Sequence, residues 1–300
     1  MQVNIEVGDA CVNIAVFADL HGRILLAFML CARWQRETGE RVAAILQAGD
    51  LAAYPDESRL DRATLRHASA DPEELGFMRD FMAPREDVAS RLAETTCPMI
   101  FVRGNHEDHT WLDAVERGAG AAPLFPIDAY QRVCCVRTGM PYTLRAEDRQ
   151  ATLLGIGRIA SPPGVSYPSE AKYAQVSELA RLYALGPAQV DILLTHDVPP
   201  TNLNRRSLGM AAIRLALDEY RPLYHFYGHT DEPYRCERDA NGVTTAIRMA
   251  DLNWSRRLPG APLHQGVMGI LRWRGPSKHS FEVVDAPWLR EYSAKGWRWR

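Results

Sequence analysis

The stretch CVNIAVFADLHG, residues 11–22, joins a short apolar run to a polar end that carries Asp19 and His21. The run from Cys11 to Ala18 predicts a buried β-strand, because it is short and apolar. Residues 24–36 then predict a helix, which Gly39 ends. Open α/β sheets place their functional sites at the carboxyl ends of such strands.

Four further apolar runs of the chain also end in polar clusters. The predicted strands span Val42 to Leu46, Pro98 to Val102, Asp191 to Leu194, and Pro222 to Tyr227. Their polar ends are Gly49-Asp50, Gly104-Asn105-His106-Glu107, Thr195-His196-Asp197 and Gly228-His229-Thr230-Asp231. Each cluster alone could be a turn or a helix cap. The ordered set supplies Asp, His and Asn side chains, which bind divalent cations, and therefore predicts a metal site.

The connections between these strands predict the domain organisation. We expect residues 1–300 to form a single domain. Residues 52–93 are charged and mostly helical in pattern, and they are too long for a simple crossover, so we predict an inserted helical cap. Strands that alternate with helices and are followed by hairpins predict two mixed sheets packed face to face, with helices outside.

The composition excludes several classes of protein. The chain is 46% hydrophobic and 24% charged, which is typical of a soluble globular protein. A net charge of −2 indicates neither a nucleic-acid coat nor a membrane coat, although it leaves a nucleic-acid substrate open. The polar N-terminus does not resemble a secretory signal, and six cysteines without a C-x-x-C pair indicate reduced thiols. We expect a cytoplasmic protein without membrane contact; its oligomeric state is not predicted.

The five clusters, in their order along the chain, resemble the calcineurin-like metallophosphoesterase superfamily. The family pattern is D-x-H, G-D, G-N-H-[ED], a lone His and G-H-x-H, and the resemblance covers roughly residues 12–251. It implies an α/β fold, a four-layer α/β/β/α sandwich of two mixed sheets. It also implies an enzyme, a metal-dependent phosphoric ester hydrolase with two divalent metal ions. Such enzymes hydrolyse a phosphomonoester or phosphodiester by attack of a metal-bound hydroxide.

The resemblance implies a role for each residue that matches the pattern. Metal ligands would be Asp19 and His21 at the first metal, Asp50 between both, and Asn105, His196 and His229 at the second. The implied catalytic residues are Asp50 and His106, and His106 would protonate the leaving oxygen or hold the phosphoryl group. Manganese is the favoured metal, with iron or zinc as alternatives.

Two positions depart from the family pattern. Asp231 stands where the family often has the second His of G-H-x-H. As a ligand, Asp231 would give the first site a preference for hard cations and so favour manganese. It could also contact no metal. Ala53 stands where some members carry an acidic residue or Asn that pairs with the G-N-H histidine. His106 would then need other support, and the candidates are a bound phosphate and Asp197.

Two alternative functions are open at this point. A binding module that has lost catalysis would lack several ligands, whereas only Asp231 departs here. An RNA-directed phosphodiesterase is indicated by a distant likeness of residues 195–199 to lariat debranching enzymes, although those carry Cys where this chain has Asp19. Arg23 and His109, close to the clusters, are interpreted as residues of exposed helix surfaces.

Overall fold

The structure is a computed structural model that describes residues 11–146, 148–162, 170–203, 206–230, 232–254, 261–294 and 296–300. Within these ranges lie fifteen β-strands and seven α-helices. The strands are β1 Val12–Phe17, β2 Val42–Gln47, β3 Met99–Phe101, β4 Leu124–Pro126, β5 Val133–Val136, β6 Tyr142–Ala146, β7 Arg149–Ile156, β8 Ile192–Thr195, β9 Thr201–Leu203, β10 Arg206–Leu208, β11 Tyr224–Tyr227, β12 Arg235–Arg238, β13 Thr245–Arg248, β14 Gly269–Trp273 and β15 His279–Val283. The helices are α1 Ile24–Thr38, α2 Arg62–Ala70, α3 Gly76–Phe81, α4 Glu86–Leu92, α5 His109–Gly118, α6 Val176–Tyr183 and α7 Ala211–Tyr220.

The five predicted strands that end in polar clusters are confirmed as β1, β2, β3, β8 and β11. The predicted helix after β1 is also confirmed, and it ends where Gly39 adopts a left-handed backbone with φ of 74°. None of the helices in the described ranges has the length and apolar character that crossing a membrane requires.

The strands form two mixed sheets, as predicted. The first has the order β15-β14-β1-β2-β3-β5-β4, in which β1, β2, β3 and β5 are parallel. The second has the order β12-β13-β11-β8-β7-β6, in which β13, β11, β8 and β7 are parallel. A separate pair is formed by β9 and β10.

The sheets pack face to face, and helices cover their outer faces. In β1, Ile14 and Val16 belong to a buried cluster that also contains residues of β7, β8 and β11. Ala15 and Phe17 belong to a different cluster, which contains the buried face of α1, because side chains alternate between the faces of a strand. Residues of α7 cover the outer face of the second sheet. The result is the four-layer α/β/β/α sandwich.

Residues 52–93, hereafter the inserted segment, connect β2 to β3. They contain α2, α3, α4 and two short 3-10 turns, Glu57–Arg59 and Pro72–Leu75. Phe77 and Phe81 of α3 are fully buried in the same core cluster as α1, so the segment is anchored on the outer helical layer. Its function as a cap and the single-domain organisation stay predictions.

Candidate metal centre

The predicted site residues lie at the carboxyl ends of strands from both sheets. Asp19, Asp50 and Asn105 follow β1, β2 and β3, whereas His196 and His229 follow β8 and β11. Because the sheets pack face to face, these strand ends meet at one edge of the sandwich. The backbone N–H of His229 thus donates to Asp19 Oδ2 at 3.2 Å, across 210 positions of sequence.

Three buried side chains form the centre of the site. One potential ligand atom each of Asp19, Asp50 and His196 lies within 4.8 Å of the other two. His196 Nε2 is 3.3 Å from Asp50 Oδ1. Two buried carboxylates this close are costly without a compensating cation. The donor set of two carboxylates and an imidazole therefore fits a divalent metal ion.

Both ring nitrogens of His196 have an oxygen atom close by. Nδ1 lies 2.8 Å from the carbonyl oxygen of Ala48, and Nε2 lies 3.0 Å from Asn105 Oδ1. The Ala48 carbonyl can only accept, which places a proton on Nδ1 and leaves Nε2 as the donor atom for a metal. Burial lowers the pKa of His196, so that the ring is neutral, the form that binds metals.

The remaining predicted residues surround this centre. The rings of His196 and His229 lie 4.7 Å apart, and those of His21 and His106 lie 5.7 Å apart, measured between centroids. His21 Nδ1 is 3.4 Å from Glu74 Oε2, a buried carboxylate of the inserted segment. The structure thus brings together all the predicted site residues except Asp231, which lies outside the described residues.

Asp50 connects the loops that follow β2 and β3. Its Oδ1 accepts the backbone N–H groups of Asn105 at 2.7 Å and of His106 at 2.8 Å. Burial disfavours the charged carboxylate, but His196, His106 and His21 hold the pKa of Asp50 well below its ordinary value. Asp50 is therefore ionised at neutral pH.

Glu107 also connects the loops that follow β2 and β3. Its Oε1 accepts the backbone N–H of Leu51 at 3.0 Å and of Gly104 at 3.2 Å. Burial and the charge of Asp50 raise the pKa of Glu107 to about 8. The last residue of the Gly-Asn-His-Glu cluster thus fixes the loops and leaves the negative charge to Asp50.

The backbone is strained at the site. Of the eight non-glycine residues with positive φ in the described ranges, four are predicted site residues: Asp19 at 46°, His21 at 44°, Asp50 at 53° and His229 at 76°. Such conformations are rare for residues with a side chain and cluster where function requires them. They turn the chain sharply at the strand ends, where the donor groups converge.

Gly104 shows why a glycine precedes Asn105. A Cβ at this position would lie 2.1 Å from Asp50 Oδ1. Only a residue without a side chain lets the backbone approach the carboxylate this closely. The glycine of the motif is thus a consequence of the contact between the loops after β2 and β3.

His106 contacts a carboxylate that the sequence did not reveal. Its Nδ1 lies 3.3 Å from Asp61 Oδ2, at the start of α2. Burial opposes protonation, but the hydrogen bond with Asp61 and the charge of Asp50 raise the pKa of His106 to about 9. Asp197, the side chain considered for this role, instead accepts backbone N–H groups of Ala160 and Val198, each at 2.8 Å. Asp61 belongs to no sequence motif, because it lies in the inserted segment and not in one of the strand-end clusters.

Two expectations about exposed residues are wrong. Arg23 is 1% exposed and forms an ion pair with Asp71 of the inserted segment. His109 is 5% exposed at the start of α5. A helical pattern does not show what packs on a helix from elsewhere in the chain, and Asp71 of the inserted segment lies over the start of α1.

A cleft of about 530 Å³ opens beside His106. The inserted segment contributes Tyr54, Arg59 and Asp61 to its lining, and residues around the start of α5 contribute His106 and Thr110. Its size is that of a small-molecule site.

Comparison with known proteins identifies the family of the chain. A family model described as calcineurin-like phosphoesterase matches residues 12–233. No curated protein matches the chain in sequence.

Several solved structures are similar in fold. GAP50, the anchor in the inner membrane complex of Plasmodium, is 11% identical with a TM-score of 0.50, over 95% of this chain and 85% of that one. The protein TT1561 of Thermus thermophilus is 14% identical with a TM-score of 0.49, over 91% and 99%. A 5'-nucleotidase from Candida albicans is 11% identical with a TM-score of 0.41, over 96% and 53%. At such identities only the likeness to GAP50 bears on the fold, and on the fold alone. Since the family model spans most of the chain and its motifs converge at one edge of the sandwich, the protein belongs to the calcineurin-like phosphoesterase family.

Proposed function

We propose that this protein is a metal-dependent phosphoesterase that hydrolyses a phosphomonoester or phosphodiester with two divalent cations. The observation that carries the proposal is the buried group of Asp19, Asp50 and His196, surrounded by further donor side chains at the same strand ends. Family membership supports it. All six cysteines are free, which supports a place in the reducing cytoplasm.

The proposed ligands follow the two sheets. Asp19 and His21 after β1 would hold the first cation, and Asp50 would contact both. Asn105, His196 and His229 would hold the second. The set holds three carboxylate or amide oxygens and three imidazoles, a mixture that manganese, iron and zinc all accept, and a further carboxylate from Asp231 would favour manganese. When bound, the cations would stabilise the charge that develops on the phosphoryl oxygens and lower the pKa of water at the site.

The protein's own groups account for the proton transfer to the leaving group. Hydrolysis forms a bond from a water oxygen to phosphorus and breaks the bond from phosphorus to the leaving oxygen. The leaving oxygen takes the bonding electron pair and needs a proton, and the water oxygen loses one. His106 is the proposed proton donor to the leaving oxygen, since its Nδ1 is engaged by Asp61 and its Nε2 remains available.

The cleft beside His106 is the proposed place of the leaving group. Tyr54, Arg59 and Asp61 of the inserted segment line one side of it. We therefore propose that the inserted segment acts as a cap and selects the leaving group, since such segments commonly determine the substrate in this kind of site.

The experiment that tests this function compares wild-type protein with the variant Asp50→Asn. Each is stripped of metal, reloaded with manganese, iron or zinc, analysed for bound metal, and assayed on a panel of phosphomonoesters and phosphodiesters. We expect about two metal ions per wild-type chain and hydrolysis of at least one ester class. Asp50→Asn should bind less metal and lose turnover while its circular dichroism is unchanged.

Asp218→Asn is the matched control, because Asp218 is an exposed residue of α7 that pairs with Arg214 and with no site residue in the described part of the chain. Full metal loading and a normal rate in Asp50→Asn would show that the site is placed wrongly. Metal binding by the wild type without hydrolysis of any ester would instead identify a non-catalytic binding module.

A further inference from the structure

We propose that Asp61 is a positioning residue for His106, so that the first turn of α2 belongs to the reaction machinery. The inference rests on the proposed function, in which His106 donates the proton to the leaving oxygen. It assigns to the inserted segment a second task besides shaping the cleft.

The two oxygens of Asp61 have different partners. Oδ1 caps α2, since it accepts the backbone N–H of Ala63 at 2.7 Å and of Thr64 at 2.8 Å. Oδ2 lies 3.3 Å from His106 Nδ1 and accepts the hydroxyl of Tyr54 at 2.5 Å. Thr64 Oγ1 also donates to Oδ2 at 3.0 Å. The carboxylate is therefore fixed from both sides, and it cannot turn away from His106 without breaking the cap.

This arrangement determines which nitrogen of His106 faces the reaction. His106 Nδ1 faces Thr64 Oγ1 at 3.2 Å and Asp61 Oδ2 at 3.3 Å. Because Thr64 donates its own proton to Asp61, both oxygens act as acceptors for a proton on Nδ1, and Nε2 is the nitrogen left for the leaving oxygen. The ring also has the rings of His21 and His67 as neighbours, with centroids 5.7 and 6.3 Å away. Rotation of the imidazole is thus limited by these two rings and by the polar contacts of Nδ1.

The contact between Asp61 and His106 depends on the inserted segment, because Asp61 lies within it. Ala53, the residue three positions after Asp50, is apolar and fully buried and offers no such bond. Asp61 lies beside His106 as the capping residue with which α2 begins, within the inserted segment. Correct folding of the start of α2 is therefore a condition for the correct orientation of His106.

The experiment uses two substitutions that preserve the helix cap. Asp61→Ser keeps a capping hydroxyl but is too short to reach His106, and Asp61→Asn keeps the length but removes the charge. The matched control is Asp56→Ser, because Asp56 caps the neighbouring 3-10 turn through the N–H of Ser58 at 2.9 Å and does not line the cleft.

The first measurement is ¹⁵N–¹H NMR of the histidine rings, which needs neither metal nor substrate. We expect a protected Nδ1 proton for His106 in the wild type and in Asp56→Ser, and its loss in Asp61→Ser. An Nδ1 proton that stays equally protected in Asp61→Ser would overturn the inference.

The second measurement compares an alkyl phosphate ester with its nitrophenyl counterpart. Asp61→Ser should lower kcat on the alkyl ester at least tenfold with little change in KM, within the roughly 10²–10⁴-fold that general acid assistance contributes. The nitrophenyl ester should be almost unaffected, and Asp61→Asn should lie between. In a His106→Ala background, Asp61→Ser should cost nothing further.

Equal losses on the two esters, or a full additional loss without His106, would contradict the positioning role. If the wild type hydrolyses no ester of the panel, the proposed function fails, and the NMR result alone decides whether Asp61 holds His106.

Discussion

The strand-end loops and the inserted segment contribute to the site in different ways. The loops after β1, β2, β3, β8 and β11 carry the donor groups, and they are held by parallel strands and by backbone contacts such as those to Asp50. The inserted segment carries no proposed ligand. It offers two carboxylates, Glu74 to His21 and Asp61 to His106. The loops therefore determine which groups meet, whereas the segment contacts two of their histidines.

The two regions also join through backbone packing. A Cβ on Gly22, directly after the first motif, would lie 2.1 Å from the carbonyl oxygen of Glu73 in the inserted segment. Gly22 has φ of 81°, so a side chain is disfavoured there by conformation as well as by space. The loop that carries Asp19 and His21 thus packs directly on the backbone of the inserted segment, and the segment forms one side of the site.

The largest expected effect concerns the residue at which the two regions meet. His106→Ala should reduce turnover of an alkyl phosphate ester by roughly 10²–10⁴-fold, because an alkoxide leaving group needs a proton. The nitrophenyl ester should lose far less, because nitrophenolate is stable as an anion. Steady-state kinetics on both esters measures this, with metal content as the control. Equal losses would show that His106 holds the phosphoryl group instead of donating a proton.

A second variant disturbs the strand-end loops alone. Gly104→Ala places a methyl group where Asp50 Oδ1 now lies, so Asp50 must shift. Displacing a reacting group by about 1 Å can cost roughly 10²-fold in rate. We expect a loss of that order together with weaker metal binding, measured by activity and by metal titration. Gly118→Ala is the control, because a Cβ there meets open space. Similar behaviour of the two variants would show that the close approach is unimportant.

A third variant disturbs the inserted segment alone. Glu74→Gln keeps the shape of the side chain but removes the charge beside His21 Nδ1. Carboxylates that support a ligating histidine typically contribute about 10- to 100-fold in metal affinity. We expect a loss in that range for one of the two metals, measured by competition with a chelating dye.

Glu73→Gln is the control for Glu74, since Glu73 pairs with Arg79 and Arg298 and not with a site histidine. Unchanged affinity in Glu74→Gln would mean that the segment does not orient His21, and the contrast between the two regions would then rest on Asp61 only.

The smallest effect concerns the strand framework. His225 in β11 is fully buried, and burial lowers its pKa to about 3. The unfolded chain takes up this proton near pH 6.5, before the folded chain does. The stability that the neutral ring contributes is therefore complete above about pH 6.5 and is lost as the pH falls toward 3, by up to about 1.4 kcal/mol per pH unit.

Urea unfolding at pH 7.5, 6.0 and 5.0 measures this dependence. His225→Phe should flatten the fall in the free energy of unfolding, since its ring does not titrate. Thr195, which bonds His225 Nε2 at 2.9 Å, also has the carbonyl oxygen of Asp197 as a partner at 2.6 Å. An equally steep fall in His225→Phe would assign the pH dependence to other groups.

The strand-end loops could be predicted from the sequence, whereas the contacts of the inserted segment could not. The strands that lead into the polar clusters were predictable because a buried strand is a short apolar run with a local signature. The convergence of Asp19 with His229 was predictable because parallel strands bring their carboxyl ends to one edge of each sheet, and the two sheets were expected to pack face to face. The partners of Arg23 and His106 were not predictable, because Asp71 and Asp61 lie in a segment whose path over the strand ends leaves no periodic pattern.

The sequence by itself determined the order of the motifs, the α/β sandwich of two mixed sheets and the identity of the donor groups. These depend on local hydrophobic pattern and on residue type at strand ends, which are properties of neighbours along the chain. Only the tertiary structure decided that Asp61 stands beside His106, that Glu74 stands beside His21, and that Arg23 is buried. Each of these contacts depends on how the inserted segment packs on the edge of the sandwich where the strand ends meet. Such packing is determined by many weak contacts between residues far apart in the chain, which no short stretch of sequence encodes.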